Sequence, residues 1–427
     1  MKIWNTYTGH GGGYLVEVLR RLGIAHVFSV PGAQILSIWD ALGNGPHPEL
    51  IVPAGEWKGA FMAEGYSAVS GLPAIVLNTV GIGAVHELPG MHSAMLTGAP
   101  VIFLSPTQPE YKRKRIGRVF QGLNQEAILN EHVQAGFQIG DIGDVVPTLA
   151  MAYQTCMGRA GGEHPRRGPV RVDIEFPMLF QRIFSMLPRI TERLQKDARL
   201  RLSAAPENLY VVSSEFARGA NAGVAEELFP DFVVSPLCNG LGSRTYNAAY
   251  ALGVKFARRT SPVAWVAPVS AVRAAYDLFL LARSHNIPLV FLEGGRERGF
   301  KELAELCGAE FRRIGRDLIP SLAVLFRENP DALFVIAGDG ITELAADAVS
   351  GAQKSAPRSV GRSVGLPGKS TASRKKTSTG APAKSNIGTD AFVDPEQAKL
   401  RKKRSGAKIA GTQTARKTQK KSTNRTA

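Results

Sequence analysis

The sequence predicts an α/β protein with two doubly wound parallel-sheet domains and a disordered basic C-terminal tail. Short apolar runs alternate with amphipathic segments through most of the chain, which is typical of strands and helices in βαβ units. The chain has 427 residues, 44% of them hydrophobic, and this is enough to bury two cores. The charge is uneven, because residues 351–427 hold 19 Lys and Arg against 3 Asp and Glu, whereas the first 350 residues hold 33 of each.

The first block, residues 1–185, contains five apolar runs of strand length and three longer amphipathic segments. The expected strands are residues 26–30, 50–53, 74–78, 101–104 and 170–174. The expected helices are residues 13–22, 56–70 and 84–96. Strands of four to six residues separated by helices of this length favour a parallel sheet with crossover helices.

A second block, residues 207–350, repeats this alternation and predicts a second doubly wound domain. Its expected strands are residues 209–212, 232–234, 263–266, 288–292 and 333–336. Residues 186–206 are charged and contain no strand-like run, so we expect a linker between the two domains.

The tail, residues 351–427, is rich in Lys, Arg, Ser, Thr, Ala and Gly, and its single aromatic residue is Phe392. Such a segment cannot bury enough apolar surface to offset its chain entropy, so we expect disorder. Basic clusters indicate either binding to nucleic acid or another polyanion by counterion release, or a solubilising extension. The clusters are residues 374–376, 401–404 and 420–421.

Composition also disfavours several classes of protein. Gly, Pro or a charged residue interrupts each apolar run before it reaches membrane-spanning length, and the first residues lack the apolar core of a signal peptide. Cys156, Cys238 and Cys307 are far apart and show no metal-ligand spacing, which favours buried thiols over disulfides or a zinc site. We therefore expect a cytoplasmic protein that does not span a membrane.

Glu56 is the first candidate for chemistry. It follows the expected strand 50–53 and begins the expected helix 56–70, at the carboxyl end of a strand where ligands collect in open α/β sheets. An acidic residue at this position is also typical of a simple cap that the helix dipole favours. The residue alone leaves both interpretations open.

Five segments of the first block stand in a characteristic order. They are residues 12–32, residues 55–71, the strand and Gly-rich turn of residues 77–84, the Phe-Gln pair of residues 120–121, and the closing strand of residues 168–177. Taken together, these segments resemble the pyrimidine-binding domain of thiamine-diphosphate-dependent enzymes. The overall pattern is most similar to acetolactate synthases and to two-domain 2-oxo acid decarboxylases.

The resemblance implies that Glu56 is the catalytic glutamate, which hydrogen-bonds a ring nitrogen of the aminopyrimidine and so promotes formation of the thiazolium ylid. The implied reaction is attack on a 2-oxo acid, with decarboxylation or carboligation. The resemblance also implies thiamine diphosphate as the cofactor, with Gly32, Thr79, Gly81, Gly83 and Gly242 as cofactor-binding residues.

The second block resembles the diphosphate-binding domain of the same enzymes, but with a defect. The family binds magnesium through a Gly-Asp-Gly turn and an Asn about 25 to 30 residues later, because a hard cation requires oxygen ligands. Here the corresponding residues are 267–269, Ala-Pro-Val, and Gly294-Gly295 or a position within one residue of them. The sequence therefore predicts a degenerate magnesium site. A Gly-Asp-Gly at residues 338–340 is either a cofactor loop or a polar turn.

Other candidates have two interpretations each. His86 and His92 lie on the expected helix 84–96, where they either face substrate or are satisfied, partly buried histidines. His10 is expected in a flexible lead-in to the first helix. The basic run of residues 112–115 either grips phosphates or forms a solvated loop.

Two functional hypotheses follow from the resemblance. The first is a thiamine-diphosphate-dependent enzyme that acts on a 2-oxo acid as a homodimer or tetramer, since such sites form between domains of different subunits. The second is a family member that no longer binds the cofactor and serves as a regulatory or scaffold subunit. An intermediate hypothesis is that this chain pairs with an intact homologue. The homologue would supply the diphosphate site, and Glu56 would act in trans.

Overall fold

The apolar runs of the first block form a six-stranded parallel sheet with the order β3-β2-β4-β5-β7-β6. The computed structural model describes residues 5–46, 48–107, 118, 120–159, 166–187, 210–212, 233–234, 244–267, 269–294, 300–314 and 319–337. The strands of this first sheet are β2 (His26–Ser29), β3 (Glu49–Ile51), β4 (Ala74–Leu77), β5 (Val101–Thr107), β6 (Gly136–Ile139) and β7 (Val170–Glu175). A separate antiparallel ribbon pairs β1 (Asn5–His10) with β8 (Arg182–Leu187).

Alternate residues of each central strand pack on opposite faces, as expected for a sheet that helices cover on both sides. Ile75 and Leu77 pack with the helices α1, α2 and α7, whereas Val76 packs on the other side with α3 and α5. The helices of this half are α1 (Gly11–Arg21), α2 (Leu36–Gly43), α3 (Glu56–Ser70), α4 (Ile82–His86), α5 (Leu88–Thr97), α6 (Gln125–Leu129) and α7 (Val145–Cys156). Short 3-10 helices are Ala33–Ile35, Asn130–His132, Ile142–Asp144 and Phe176–Phe180.

A second six-stranded parallel sheet has the order β10-β9-β11-β14-β12-β13. Its strands are β9 (Tyr210–Val212), β10 (Val233–Val234), β11 (Val263–Ala267), β12 (Leu289–Gly294), β13 (Glu310–Ile314) and β14 (Leu333–Ala337). Its helices are α8 (Arg244–Ala257), α9 (Val269–Ala274), α10 (Tyr276–Ser284), α11 (Lys301–Cys307) and α12 (Ile319–Glu328). Both sheets lie within one compact unit, Met1–Arg358.

Helix α3 joins the two sheets. Its side chains are buried almost all round, and its residues share one hydrophobic core with α8 and with strands of the second sheet. Two glycines bring the helices together: a Cβ on Gly65 would lie 2.2 Å from the carbonyl oxygen of Tyr250, and one on Gly253 would lie 2.0 Å from that of Met62. Any larger residue would push the helices apart. The helix ends at Gly71, whose φ of 68° is a left-handed conformation that favours glycine.

The structure confirms both parallel sheets and corrects several expected elements. Strands β6 and β13 and the β1–β8 ribbon were not predicted, and β8 extends two residues into the expected linker. The expected helix 84–96 is two helices, α4 and α5, with Glu87 between them. His10 is the last residue of a strand rather than a flexible lead-in, and its Nδ1 lies 3.2 Å from the carbonyl oxygen of Phe180.

The membrane prediction is addressed only by the described helices, none of which is long and apolar enough to cross a membrane. The basic run 112–115, the turn 338–340 and the tail 351–427 lie outside the described residues.

Candidate functional site

The candidate site lies at the carboxyl ends of β2 and β4. From β2 the chain crosses to the edge strand β3, whereas from β4 it crosses the other way to β5. The two connections therefore diverge and leave a crevice between neighbouring strand ends, which is where open α/β sheets bind ligands. Gly32 follows β2, residues 78–83 follow β4, and Glu56 follows β3 at the first position of α3.

Four of the predicted site residues contact one another in this crevice. A Cβ added to Gly32 would lie 2.6 Å from the Cβ of Thr79, and one added to Gly83 would lie 2.6 Å from the Cγ2 of Thr79. The same Gly83 position is 3.7 Å from Glu56 Oε1. Gly32, Thr79, Gly83 and Glu56 are therefore one cluster, in which the Thr79 side chain packs directly against the two glycines and leaves no space for a side chain at either position.

Gly81, the fifth predicted residue, forms a turn that only glycine adopts without strain. Its φ is 76°, and a Cβ would lie 2.5 Å from the carbonyl oxygen of Gln121. Its backbone N–H donates to Gln125 Oε1 at 3.1 Å, and Gln125 Nε2 donates in turn to Asp173 Oδ1 at 3.1 Å. The buried hydrogen bonds of Gln125 and Asp173 thus hold the Gly81 turn in place.

Two glutamines at the site were not singled out from the sequence as binding residues. Thr79 Oγ1 donates to Gln34 Oε1 at 2.5 Å, and Gln34 Nε2 donates to Gln121 Oε1 at 3.2 Å. These bonds link the loops after β2 and β4 to the segment around residue 121. Phe120, the other member of the expected Phe-Gln pair, is 85% exposed beside this chain of hydrogen bonds.

The structure separates the two candidate histidines. His86, the last residue of α4, places Nδ1 3.3 Å from Glu56 Oε2. His92 instead places Nδ1 3.1 Å from the Nδ1 of His132, in an exposed pair away from Glu56. Only His86 belongs to the site.

A second carboxyl group is buried behind Glu56. Glu87 lies between α4 and α5 and is 1% exposed. Burial raises its pKa well above the ordinary value, and the nearby charge of Glu56 acts in the same direction, while the hydrogen bond from Asn78 opposes both. Asn78 Nδ2 donates to Glu87 Oε1 at 2.8 Å, and Asn78 Oδ1 accepts the N–H of Val30 at 3.0 Å. Burial therefore favours the neutral form of the Glu87 carboxyl group, which ties α5 to the ends of β2 and β4.

The second half of the chain holds the helix that carries Glu56. Trp57 packs edge-on against Tyr246 of α8, with ring centroids 4.9 Å apart, and Phe61 stacks on the same ring at 4.5 Å. Lys58 Nζ donates to Asp277 Oδ2 of α10 at 2.5 Å. The orientation of α3, and so of Glu56, depends on these contacts.

At the carboxyl edge of the second sheet the described residues are few. Register places Ala267, Ala337 and Glu293 side by side on β11, β14 and β12. Glu293 is 5% exposed; its Oε2 accepts from Arg313 Nε at 3.2 Å, and its Oε1 has no hydrogen-bond partner among the described residues. Gly242, Pro268 and Gly295 lie outside the described residues, as does Asp339. Within the described ranges, no group of three or more His, Cys, Asp or Glu residues is arranged to hold a metal ion.

Two parallel α/β sheets with a glycine-lined switch point define the class of thiamine-diphosphate-binding folds. Benzoylformate decarboxylase from Polynucleobacter necessarius superposes with a TM-score of 0.53 at 10% identity, covering 77% of this chain and 98% of that structure. Residues 9–132 match the model of the thiamine pyrophosphate enzyme N-terminal TPP-binding domain. The family likeness thus rests on residues 9–132, and the solved structure at 10% identity shows that the fold is shared.

The curated relatives are similar over limited lengths. The mitochondrial acetolactate synthase catalytic subunit of Aspergillus candidus is 32% identical over 165 residues, covering 38% of this chain and 22% of that protein. Chloroplastic acetolactate synthase 3 of Brassica napus is 29% identical over 253 residues, covering 56% of this chain and 37% of that protein. The matched region thus spans well under half of these relatives.

Proposed function

We propose that the chain is a thiamine-diphosphate-dependent lyase or transferase that acts on a 2-oxo acid by decarboxylation or carboligation. The observation that carries the proposal is the position of Glu56: Oε1 lies 3.7 Å from the Gly83 Cβ position, in a switch-point crevice lined by glycines. A carboxyl group at this crevice can hydrogen-bond a ring nitrogen of a planar cofactor.

The described residues of the first half fit the aminopyrimidine end of the cofactor. Gly81 and Gly83 allow the turn after β4 to pack closely against Gln121 and Thr79, and Glu56 would hold a proton at the ring nitrogen. Thiamine diphosphate, when bound, supplies a nucleophilic carbon and an electron sink. The chain's own contribution is to orient Glu56 through the helix contacts of Trp57 and Lys58 and to keep the crevice open.

The assembly and location belong to the same proposal. A homodimer or tetramer would allow a diphosphate site from another subunit to face Glu56, and an intact homologue could supply that site instead. The substrate would be a small 2-oxo acid, and the location the cytoplasm.

A second candidate function has its own observation. Where the resemblance implies neutral amide ligands near residue 294, Glu293 places a buried carboxylate against Arg313. A negative side chain at that edge would repel a diphosphate group. This favours a family member that lacks the cofactor and acts as a regulatory or scaffold subunit.

Titration calorimetry with thiamine diphosphate and magnesium separates the two functions. The enzyme predicts micromolar, magnesium-dependent binding that Glu56→Gln abolishes, since the amide cannot supply the carboxyl proton. Glu17→Gln, on the far helix α1, is the matched control and should bind as the unmodified chain does. Absence of binding at millimolar cofactor, to protein that is folded and oligomeric, would contradict the enzyme and favour the regulatory subunit.

A further inference from the structure

The two oxygens of Glu56 face different neighbours. Oε1 lies towards the Gly83 turn, 3.7 Å from the Cβ position there, on the side where a cofactor ring would approach. Oε2 lies 3.3 Å from His86 Nδ1. One carboxyl group can therefore serve a ligand with one oxygen while the imidazole occupies the other.

The carboxylate also selects the tautomer of His86. A carboxylate oxygen only accepts hydrogen bonds, so the neutral imidazole carries its hydrogen on Nδ1 and keeps the lone pair on Nε2. The side chain of His86 is 57% exposed, whereas that of Glu56 is 19% exposed. The imidazole is thus the more exposed partner and Glu56 the more sheltered one, while Nε2 is the ring nitrogen that Glu56 leaves open to solvent exchange.

We propose that His86 is a positioning residue that exchanges protons between solvent and Glu56 Oε2. Water gives a proton to Nε2 while the Nδ1 hydrogen passes to Oε2, so that one solvent proton is consumed and one carboxyl proton is formed. The reverse transfer returns the proton to solvent and restores the starting tautomer. The inference deepens the proposed function, because it concerns how the carboxyl group of that site gains and loses its proton.

Other charged groups on the packed elements are engaged elsewhere. Lys58 of α3 pairs with Asp277, and His92 of α5 pairs with His132. Asp173 of β7 and Glu126 of α6 lie towards Arg171, and Glu87 is buried with its Oε1 accepting from Asn78 Nδ2. Glu56 is the described carboxylate that His86 reaches.

The first test uses the full chain without cofactor. Nitrogen NMR of ¹⁵N-histidine-labelled protein, at mildly alkaline pH where imidazoles are neutral, reports the tautomer of each ring, and loss of a signal in His86→Asn assigns His86. We expect the Nδ1–H form, and in Glu56→Ala a shift to the Nε2–H form that free histidine prefers. His92→Asn is the matched control and should leave the His86 signals unchanged. An Nε2–H ring in the unmodified chain would overturn the inference.

The second test asks whether His86 transfers protons or only holds Glu56. His86→Asn keeps a hydrogen-bond donor but has no second ring nitrogen, and His86→Ala has neither. We expect hydrogen exchange at the thiazolium C2 of bound thiamine diphosphate to slow by about 10²-fold in both variants, with rescue of His86→Ala by added imidazole. Exchange in His86→Asn at the unmodified rate would overturn the relay.

The two proposals fail in distinguishable ways. If calorimetry finds no cofactor binding, the proposed function fails, and the tautomer measurement in the cofactor-free protein decides the inference by itself. If cofactor binds but His86 shows the wrong tautomer, the proposed function stands and the relay is wrong.

Discussion

The two sheets begin alike and end differently. The chain forms β2 first, then β3 on one side of it and β4 on its other side. The second sheet repeats this with β9, β10 and β11. Each sheet therefore has a switch point next to its first strand. In the first sheet the last strand, β7, lies next to the far edge, whereas in the second sheet β14 lies between β11 and β12. β11 and β12 are therefore two strand spacings apart, about 9.6 Å. The two sheets thus share the strand crossover at their switch points, but this crossover alone does not make the sites at the two switch points equivalent.

The side chains at the two edges differ as much as the strand order. The first edge combines glycines with a carboxyl group that faces them, whereas the described part of the second edge has Ala267, Ala337 and a buried Glu293 paired with Arg313. The second half nevertheless holds helix α3, which carries Glu56. The comparison assigns the described chemistry to the first half and the support of that chemistry to the second.

The largest expected effect comes from the contact between the halves. Gly253→Ala places a methyl group 2.0 Å from the carbonyl oxygen of Met62, so α3 and α8 must separate. We expect the free energy of unfolding to fall by about 2–3 kcal/mol, the cost typical of overpacking a rigid core. Urea denaturation measures it.

Gly43→Ala is the matched control for this substitution. Gly43 ends α2 and a Cβ there meets nothing within 4 Å, so its stability should stay the same or rise by less than about 1 kcal/mol. Equal stability of the Gly253→Ala and Gly43→Ala proteins would break the claim that the halves are tightly joined.

A smaller effect is expected at the ion cluster at the amino-terminal edge of the first sheet, the opposite edge from Glu56. Hydrogen bonds from His26 and His285, with the charge of Arg259, hold the pKa of Glu49 well below its ordinary value of 4.5. A carboxyl group with a lowered folded-state pKa contributes stability above the unfolded-state pKa and loses it as the pH falls further. Glu49→Gln should cost about 1–2 kcal/mol at neutral pH, because Glu49 is only partly exposed.

Denaturation at several pH values checks this prediction. The unmodified chain should lose stability below pH 4.5 more steeply than Glu49→Gln does. Glu17→Gln, whose partners Arg20 and Arg21 lie on the same helix, is the control and should lose only about 0.3–0.5 kcal/mol. Glu49 belongs to the first half of the chain, and its partner His285 belongs to the second. Parallel pH profiles for the unmodified and Glu49→Gln proteins would show that this cluster does not contribute to the stability of the contact between the halves.

The smallest expected effect on stability is that of removing residues 351–427. The first 350 residues hold equal numbers of acidic and basic residues, so their folding should not depend on the basic excess. The melting temperature should stay the same, and any salt-sensitive binding to DNA should disappear. DNA binding that persists after truncation would place the polyanion site in one of the two halves.

The sequence predicted the central strands and the edge strands β3 and β10 because they are continuous apolar runs, but it missed the other two edge strands. β6 and β13 are edge strands, and β13 contains Arg312 and Arg313, so an apolar-run criterion does not detect them. The expected single helix 84–96 is interrupted at Glu87, and Pro89 in the first turn of α5 is the local signal for this new helix start. The hydrogen bond from Asn78 to Glu87 joins residues of two different elements, so the sequence pattern does not show it.

The candidate site was predictable where the chain itself carries a motif. Glu56, Gly32, Thr79 and the Gly81–Gly83 turn stand in a recognisable order, and the structure brings them together. Gln34, Gln125 and Glu87 could not be found in the same way, because their roles arise from hydrogen bonds between loops that are distant in sequence. The choice between His86 and His92 likewise needed the fold.

The place of β14 in the second sheet has a consequence for how the protein is made. β14 is the last of the described strands to leave the ribosome, yet it bonds to both β11 and β12. Until residues 333–337 have emerged, these two strands each present an unpaired edge, and unpaired edges of hydrophobic strands are prone to aggregate. A nascent chain stopped before Leu333 would carry two such edges at once, so synthesis of the second half is the step at which chaperone protection would matter most.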